Sequence, residues 1–133
     1  MGFAFHSYAA LADGESSVSC AIIDKTNRYA YFGMTKTPGI IVAVGLEPFV
    51  RTSALTLELG ENQPICAVID QPARLGYFGL NTDPGKIIKV NLATMAWAGV
   101  ITLGVGETFV SSAVIDQPNG FAYFGTNTTS GER

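Results

Sequence analysis

The chain has 133 residues, a net charge of −3 from 8 Lys/Arg against 11 Asp/Glu, and 47% hydrophobic residues with only 14% charged. That balance is too apolar for a disordered chain, and without a basic cluster there is no electrostatic footprint for nucleic acid or a polybasic membrane contact. No run approaches the ~18 apolar residues of a membrane helix, and Met1–Glu15 lacks the basic start and compact apolar run of a secretory signal. Neither a nucleic-acid partner nor membrane insertion is expected.

In chain order, Phe3–Leu11 reads as a strand, followed by a Gly14-Glu15 loop and the run Ser19–Asp24. A turn then leads to Tyr31-Phe32-Gly33, and Phe49–Leu57 repeats the character of the first strand. Next come four short runs rich in Val, Ile, Phe and Tyr: Cys66–Asp70, Leu75–Leu80, Lys86–Leu92 and Ala96–Leu103. Gln71-Pro72, Asp83-Pro84-Gly85, Ala93-Thr94 and Gly104–Gly106 separate them. Ile87, Ile88, Val90 and Leu92 beside Lys86, Lys89 and Asn91 fit a half-buried strand, and no segment sustains a capped helical period. The chain is expected to be all-β.

The segments recur. SCAIIDKTNRYAYFG from Ser19, ICAVIDQPARLGYFG from Ile65 and SSAVIDQPNGFAYFG from Ser111 stand 46 residues apart without a gap. Leu11/Leu57/Leu103, Gly14/Gly60/Gly106, Glu15/Glu61/Glu107 and Asp24/Asp70/Asp116 are identical three times over. Four β-runs per period of this length mark a propeller blade, whose twisted sheet buries its faces against its neighbours. The order AVID, turn, YFG, Pro-Gly loop, KIIKVNLAT and a strand ending near Gly-Glu resembles the YVTN and NHL-type propeller repeats, with WD-repeat-like blades of 46 residues. The resemblance covers the whole chain and implies a fold more strongly than a function, because such repeats serve in cell-surface proteins, ligand-binding scaffolds and sugar-lactone hydrolases.

The expected organisation is one propeller segment over 1–133: about three blades of four-stranded antiparallel sheet in an incomplete ring. The repeats run approximately 1–46, 47–92 and 93–133, the last without its third strand. Open strand edges at both ends would need a cover. Either the chain is a piece of a longer propeller, or copies associate, two copies giving six blades. The expected partners are therefore other blades or copies of itself, with a protein or carbohydrate ligand in addition.

Asp24, Asp70 and Asp116 each end a first strand before a turn, where a short carboxylate accepts turn N–H groups. One carboxylate per loop falls short of the six to eight oxygens calcium prefers, so no metal and no cofactor is expected. Glu15, Glu61 and Glu107 follow glycine in the loop entering each blade, and that loop should share a ring face with Asn81–Gly85. Loops on a rigid scaffold carry binding groups, which makes Glu15, Glu61, Glu107, Asn81, Thr82 and Asn127 the candidate binding residues. The competing role for the glutamates is a hydrogen bond fixing the loop to the next blade. The Tyr-Phe-Gly runs are expected in the packing layers, glycine admitting a neighbouring sheet. Phe5, Arg51 and Trp97 share a repeat position and suggest a partly exposed outer-edge site on the fourth strand.

His6 is the only histidine, with Thr52 and Ala98 as counterparts, so no triad or zinc set can be assembled from it. Cys20 and Cys66 share a position with Ser112, which points to small buried side chains. The blades are too alike to converge different catalytic groups on a channel, so the expectation is a noncatalytic binding and scaffolding module. The rivals are a structural subunit of an extracellular layer or filament, favoured by low charge and many Thr and Asn, and a propeller lactonase-like hydrolase. The compartment stays open, with an extracellular or cell-surface setting favoured.

Overall fold

The computed structural model describes residues 8–127. Phe5, His6 and the first part of the expected strand over 3–11 lie outside the described residues. Tyr8–Ala10 form no strand, whereas their counterparts Ala54–Thr56 do. The difference has a physical reason: Ala54–Thr56 are hydrogen-bonded to Ile40–Val42, and no described strand pairs with Tyr8–Ala10.

The strands follow the sequence pattern to within a residue or two. They are β1 Val18–Asp24, β2 Tyr29–Met34, β3 Ile40–Leu46, β4 Phe49–Thr56, β5 Pro64–Asp70, β6 Leu75–Leu80, β7 Lys86–Asn91, β8 Ala96–Thr102, β9 Val110–Asp116 and β10 Phe121–Thr126. A three-residue 3-10 turn, Gln117–Asn119, joins the last two. β1–β4 form one antiparallel sheet in chain order, β5–β8 a second, and β9–β10 a third. This is an all-β chain of propeller blades, two with four strands and one with two among the described residues, not closed into a ring.

The blades repeat down to the backbone. β1–β2 and β5–β6 shift register at the same point, as do β3–β4 and β7–β8. Gly14, Gly60 and Gly106 all have φ of 84° to 90°, and the N–H three residues beyond Ala12, Glu58 and Gly104 bonds back to their carbonyls at 2.9–3.0 Å. That is a tight turn whose third residue needs positive φ, the reason glycine stands there three times.

β5 packs on β1 and β9 on β5, so the first strands lie side by side and successive sheets meet face to face. Strand alternation gives each sheet a forward face, towards the next blade, and a rear face. Between the first two blades Ile22, Tyr31, Ile41 and Ala43 face Phe78, Leu80, Ile88, Val90 and Leu92, closed by Leu57 from the connecting loop. Between the second and third, Cys66, Ile87 and Val110 pack with Tyr77, Leu103, Ala113 and Phe124. The glycine after each aromatic pair answers a close approach: a methyl group at Gly79 would lie 2.5 Å from Cys66 Sγ and 2.6 Å from Val110 Cγ1.

Hydrogen bonds repeat across the junctions too. Gly39 N–H donates to Glu61 O and Gly85 N–H to Glu107 O; Gln63 N–H donates to Lys36 O and Phe109 N–H to Thr82 O. At the opposite strand ends, the Gln71 side-chain oxygen accepts from Lys25 N–H at 2.9 Å, and that of Gln117 from Gln71 N–H at 3.3 Å.

Candidate functional site

The glutamate loops and the loops between second and third strands are hydrogen-bonded neighbours, so they emerge at one end of the blades. Within that face the carboxylates are already engaged. Glu15 Oε1 accepts from Ala12 N–H at 2.8 Å, Glu61 Oε1 from Glu58 N–H at 3.0 Å and Glu107 Oε1 from Gly104 N–H at 2.8 Å. Each side chain therefore clips its own turn.

Two of the three also hold a partner 36 residues further on. Arg51 on β4 donates through Nε and a terminal nitrogen to both oxygens of Glu15, each at 2.7 Å. Trp97 on β8 directs its indole N–H at both oxygens of Glu61, 3.1 Å from each. The register shift that skips Thr52 in one sheet and Ala98 in the other follows each donor by one residue, a bulge of the kind that re-aims side chains. The shared position of Arg51 and Trp97 is thus an anchor between a blade's outermost strand and its entry loop, and Trp97 is partly exposed there, at 37%. The arginine beside Glu15 holds that carboxyl below its ordinary value, chiefly through the hydrogen bond, against a smaller upward push from burial.

The other candidate residues stay nearby without forming a cluster with the carboxylates. Asn81 donates from its amide to Gln63 Oε1 at 3.2 Å, Thr82 Oγ1 donates to Pro84 O at 2.8 Å, and Asn127 N–H bonds Thr108 O and Phe109 O. Asn81 and Asn127 are exposed and remain open to solvent on this face.

The turn aspartates lie at the opposite end and are not equivalent. Asp24 is fully buried: it accepts from Asn27 N–H at 3.0 Å and Asn27 Nδ2 at 2.8 Å, and Arg74 of the next blade approaches to 3.6 Å. Asp70 accepts only a long bond from Ala73 N–H, 3.4 Å, and Asp116 one from Asn119 Nδ2, 2.8 Å. A groove of about 390 Å³ crosses this end, lined by Lys25, Thr26, Asn27, Gln71, Pro72, Arg74 and Gln117 from all three blades. Its lining is mixed, with Gln71 and Gln117 at one repeat position and Lys25 at the same position in the first blade, and no expectation from the sequence pointed to it.

Cys20 and Cys66 are free thiols; burial raises both, Cys66 to about 11. Among the described residues no three His, Cys, Asp or Glu side chains gather where a metal could be held, and no helix is long and apolar enough to cross a membrane. No family model matches the chain, and no curated protein matches its sequence.

Proposed function

We propose that the chain is a noncatalytic propeller module of the YVTN/NHL kind, whose blades act as a scaffold and whose end loops bind a protein or carbohydrate ligand. The observation that carries the scaffolding reading is the forward face of β9–β10. Val114 is 65% exposed there, while its counterpart Val68 is 7% exposed; Tyr123 is 57% exposed, against 1% for Tyr31. These are the positions that receive the next blade at the first junction, and apolar surface of this kind favours association.

A further blade, from the same polypeptide or from a second copy, would cover this face; for this chain alone in solution the cover is a second copy. Charge supports the match. Arg28 holds the repeat position of Arg74, and Asp116 that of Asp24, so a copy laid on β9–β10 as the second blade lies on the first would bring Arg28 to Asp116. The present partner of Arg28 is Glu47 in an exposed pair, which contributes little.

Mass measured under native conditions tests the reading. The expected result is a multiple of 14.0 kDa, reverting to the single-chain mass when Val114 and Tyr123 are both changed to Glu. A wild-type chain that stays at single mass up to high micromolar concentration would overturn it.

A further inference from the structure

The first strands of successive blades lie side by side, so the turns that follow them form a row at the aspartate end. The groove of about 390 Å³ along that row takes three turn residues from the first blade, Gln71, Pro72 and Arg74 from the second and Gln117 from the third. Its size falls within the range of about 300–1,000 Å³ found for small-ligand clefts. All of these turns lie within the described residues. Successive sheets meet face to face, so a further blade would pack beside this end and not over it.

Hydrogen bonds to the backbone sort the groups that remain free in the groove. Gln71 Oε1 accepts from Lys25 N–H at 2.9 Å, and Gln117 Oε1 accepts from Gln71 N–H at 3.3 Å. Each carboxamide is thereby oriented through its oxygen, which leaves the side-chain N–H donors of Gln71 and Gln117 without a partner among the described residues. Asn27 Nδ2 donates to Asp24 Oδ2 at 2.8 Å, so Asn27 Oδ1 remains as an acceptor. The Lys25 ammonium makes no ion pair among the described residues, and Arg74 Nε is buried without a hydrogen bond, 3.6 Å from Asp24 Oδ2. No Asp or Glu lines the groove.

Donors therefore outnumber acceptors: an ammonium, a guanidinium and two carboxamides stand against Asn27 Oδ1 and the Thr26 hydroxyl. Such a surface selects a ligand rich in acceptors and negatively charged. Arg74 is offset by buried Asp24, which leaves Lys25 as the uncompensated cation. One net positive charge matches a single carboxylate better than a dianionic phosphate. Pro72 and the aliphatic stems of Lys25 and Arg74 add an apolar share that a bare ion would not use and the C–H face of a sugar ring would cover.

We propose that this groove binds an acidic saccharide, its carboxylate on Lys25 and Arg74, its hydroxyls on the amides of Gln71 and Gln117, and its ring face on Pro72. The proposal rests on the carbohydrate-binding reading above and names the class of sugar and its place.

Binding of cellobiouronic acid to the whole chain, with cellobiose as the neutral counterpart, tests it by calorimetry and by backbone amide shifts of the Lys25–Asn27 and Gln71–Arg74 turns. Saturable binding of the acid is expected, about tenfold tighter than cellobiose and about tenfold weaker in Lys25→Gln. Gln71→Glu keeps the oxygen that accepts Lys25 N–H and replaces the donor with a negative charge, so it should abolish binding. Lys89→Gln removes the same charge as Lys25→Gln from an exposed strand position outside the groove and should leave binding unchanged. Cellobiose binding as tightly as the acid would overturn the assignment of an acidic sugar while leaving the carbohydrate reading in place. Inorganic phosphate binding as tightly as the disaccharide would overturn the saccharide. Absence of saturable binding, or equal losses in Lys25→Gln and Lys89→Gln, would overturn the site itself, and none of these outcomes bears on the native mass that tests the scaffold reading.

Discussion

The anchor between Glu61 and Trp97 yields the sharpest test of how the blades hold their entry loops. Glu61 is 4% exposed and its carboxylate has one backbone donor, from Glu58, besides the indole N–H. Trp97→Phe removes that N–H and keeps most of the ring. A hydrogen bond to a charged group contributes about 1.5–3 kcal/mol, and Glu61 is itself buried. Some apolar contact is lost as well, limited because Trp97 is itself 37% exposed. The expected cost is therefore about 2 kcal/mol, which at a urea slope of about 2 kcal/mol/M moves the midpoint down by roughly 1 M. Trp97→Arg should recover much of it, since Arg51 grips Glu15 at the same repeat position with two bonds of 2.7 Å. Trp97 is the only tryptophan, so unfolding must be followed by far-ultraviolet circular dichroism. A Trp97→Phe protein within about 0.5 kcal/mol of wild type, or a Trp97→Arg protein no more stable than Trp97→Phe, would refute the anchor.

Gly79→Ala should lower stability by about 1–3 kcal/mol through overpacking against Cys66 and Val110, read as a lower urea midpoint. Asp24→Ala should cost about 3 kcal/mol, because it removes two turn bonds and strands Arg74, while Asp70→Ala should cost only about 1 kcal/mol; equal losses would contradict the asymmetry. The Glu15 pair is pH-sensitive with a definite sign. Its folded carboxyl lies below the ordinary 4.5, so its stabilisation is present above 4.5 and is lost as the pH falls through the folded value. Denaturation at a series of pH values should show the gap between wild type and Glu15→Gln closing on acidification. At pH 8 neither Cys20 nor Cys66 should react quickly with a disulfide reagent, since burial keeps both thiols protonated; both should react once urea unfolds the chain.

The blade pattern was legible because strands, turns and period all agree: Asp24, Asp70 and Asp116 do end β1, β5 and β9, and the aromatic pairs enter the packing layers except for Tyr123, which is 57% exposed on the open face of β9–β10. From the sequence, the structural role expected of each glutamate was a hydrogen bond fixing its loop to the next blade; the clip within the glutamate's own turn was not expected. Nor were Arg51 and Trp97 as partners, because they share little except an N–H donor, and the 36-residue separation does not match the 46-residue period. A search for common donor chemistry at one repeat position would have found them. Tyr8–Ala10 show the other limit: a strand-like sequence becomes a strand only when a neighbouring strand completes its ladder.

Some differences between these near-copies fall where one blade meets the next. Ile22 approaches Gly76 at the first junction, and a methyl group on Gly76 would lie 3.2 Å from its Cδ1. At the second junction the same two positions are Val68 and Ala122, one methyl removed and one added. Such paired changes conserve volume, which is how a packed core tolerates drift. The step from Arg74 to Gly120 is of another kind. It removes a charge and a long side chain while leaving the carboxylate that faced them, and nothing else among the described residues supplies either.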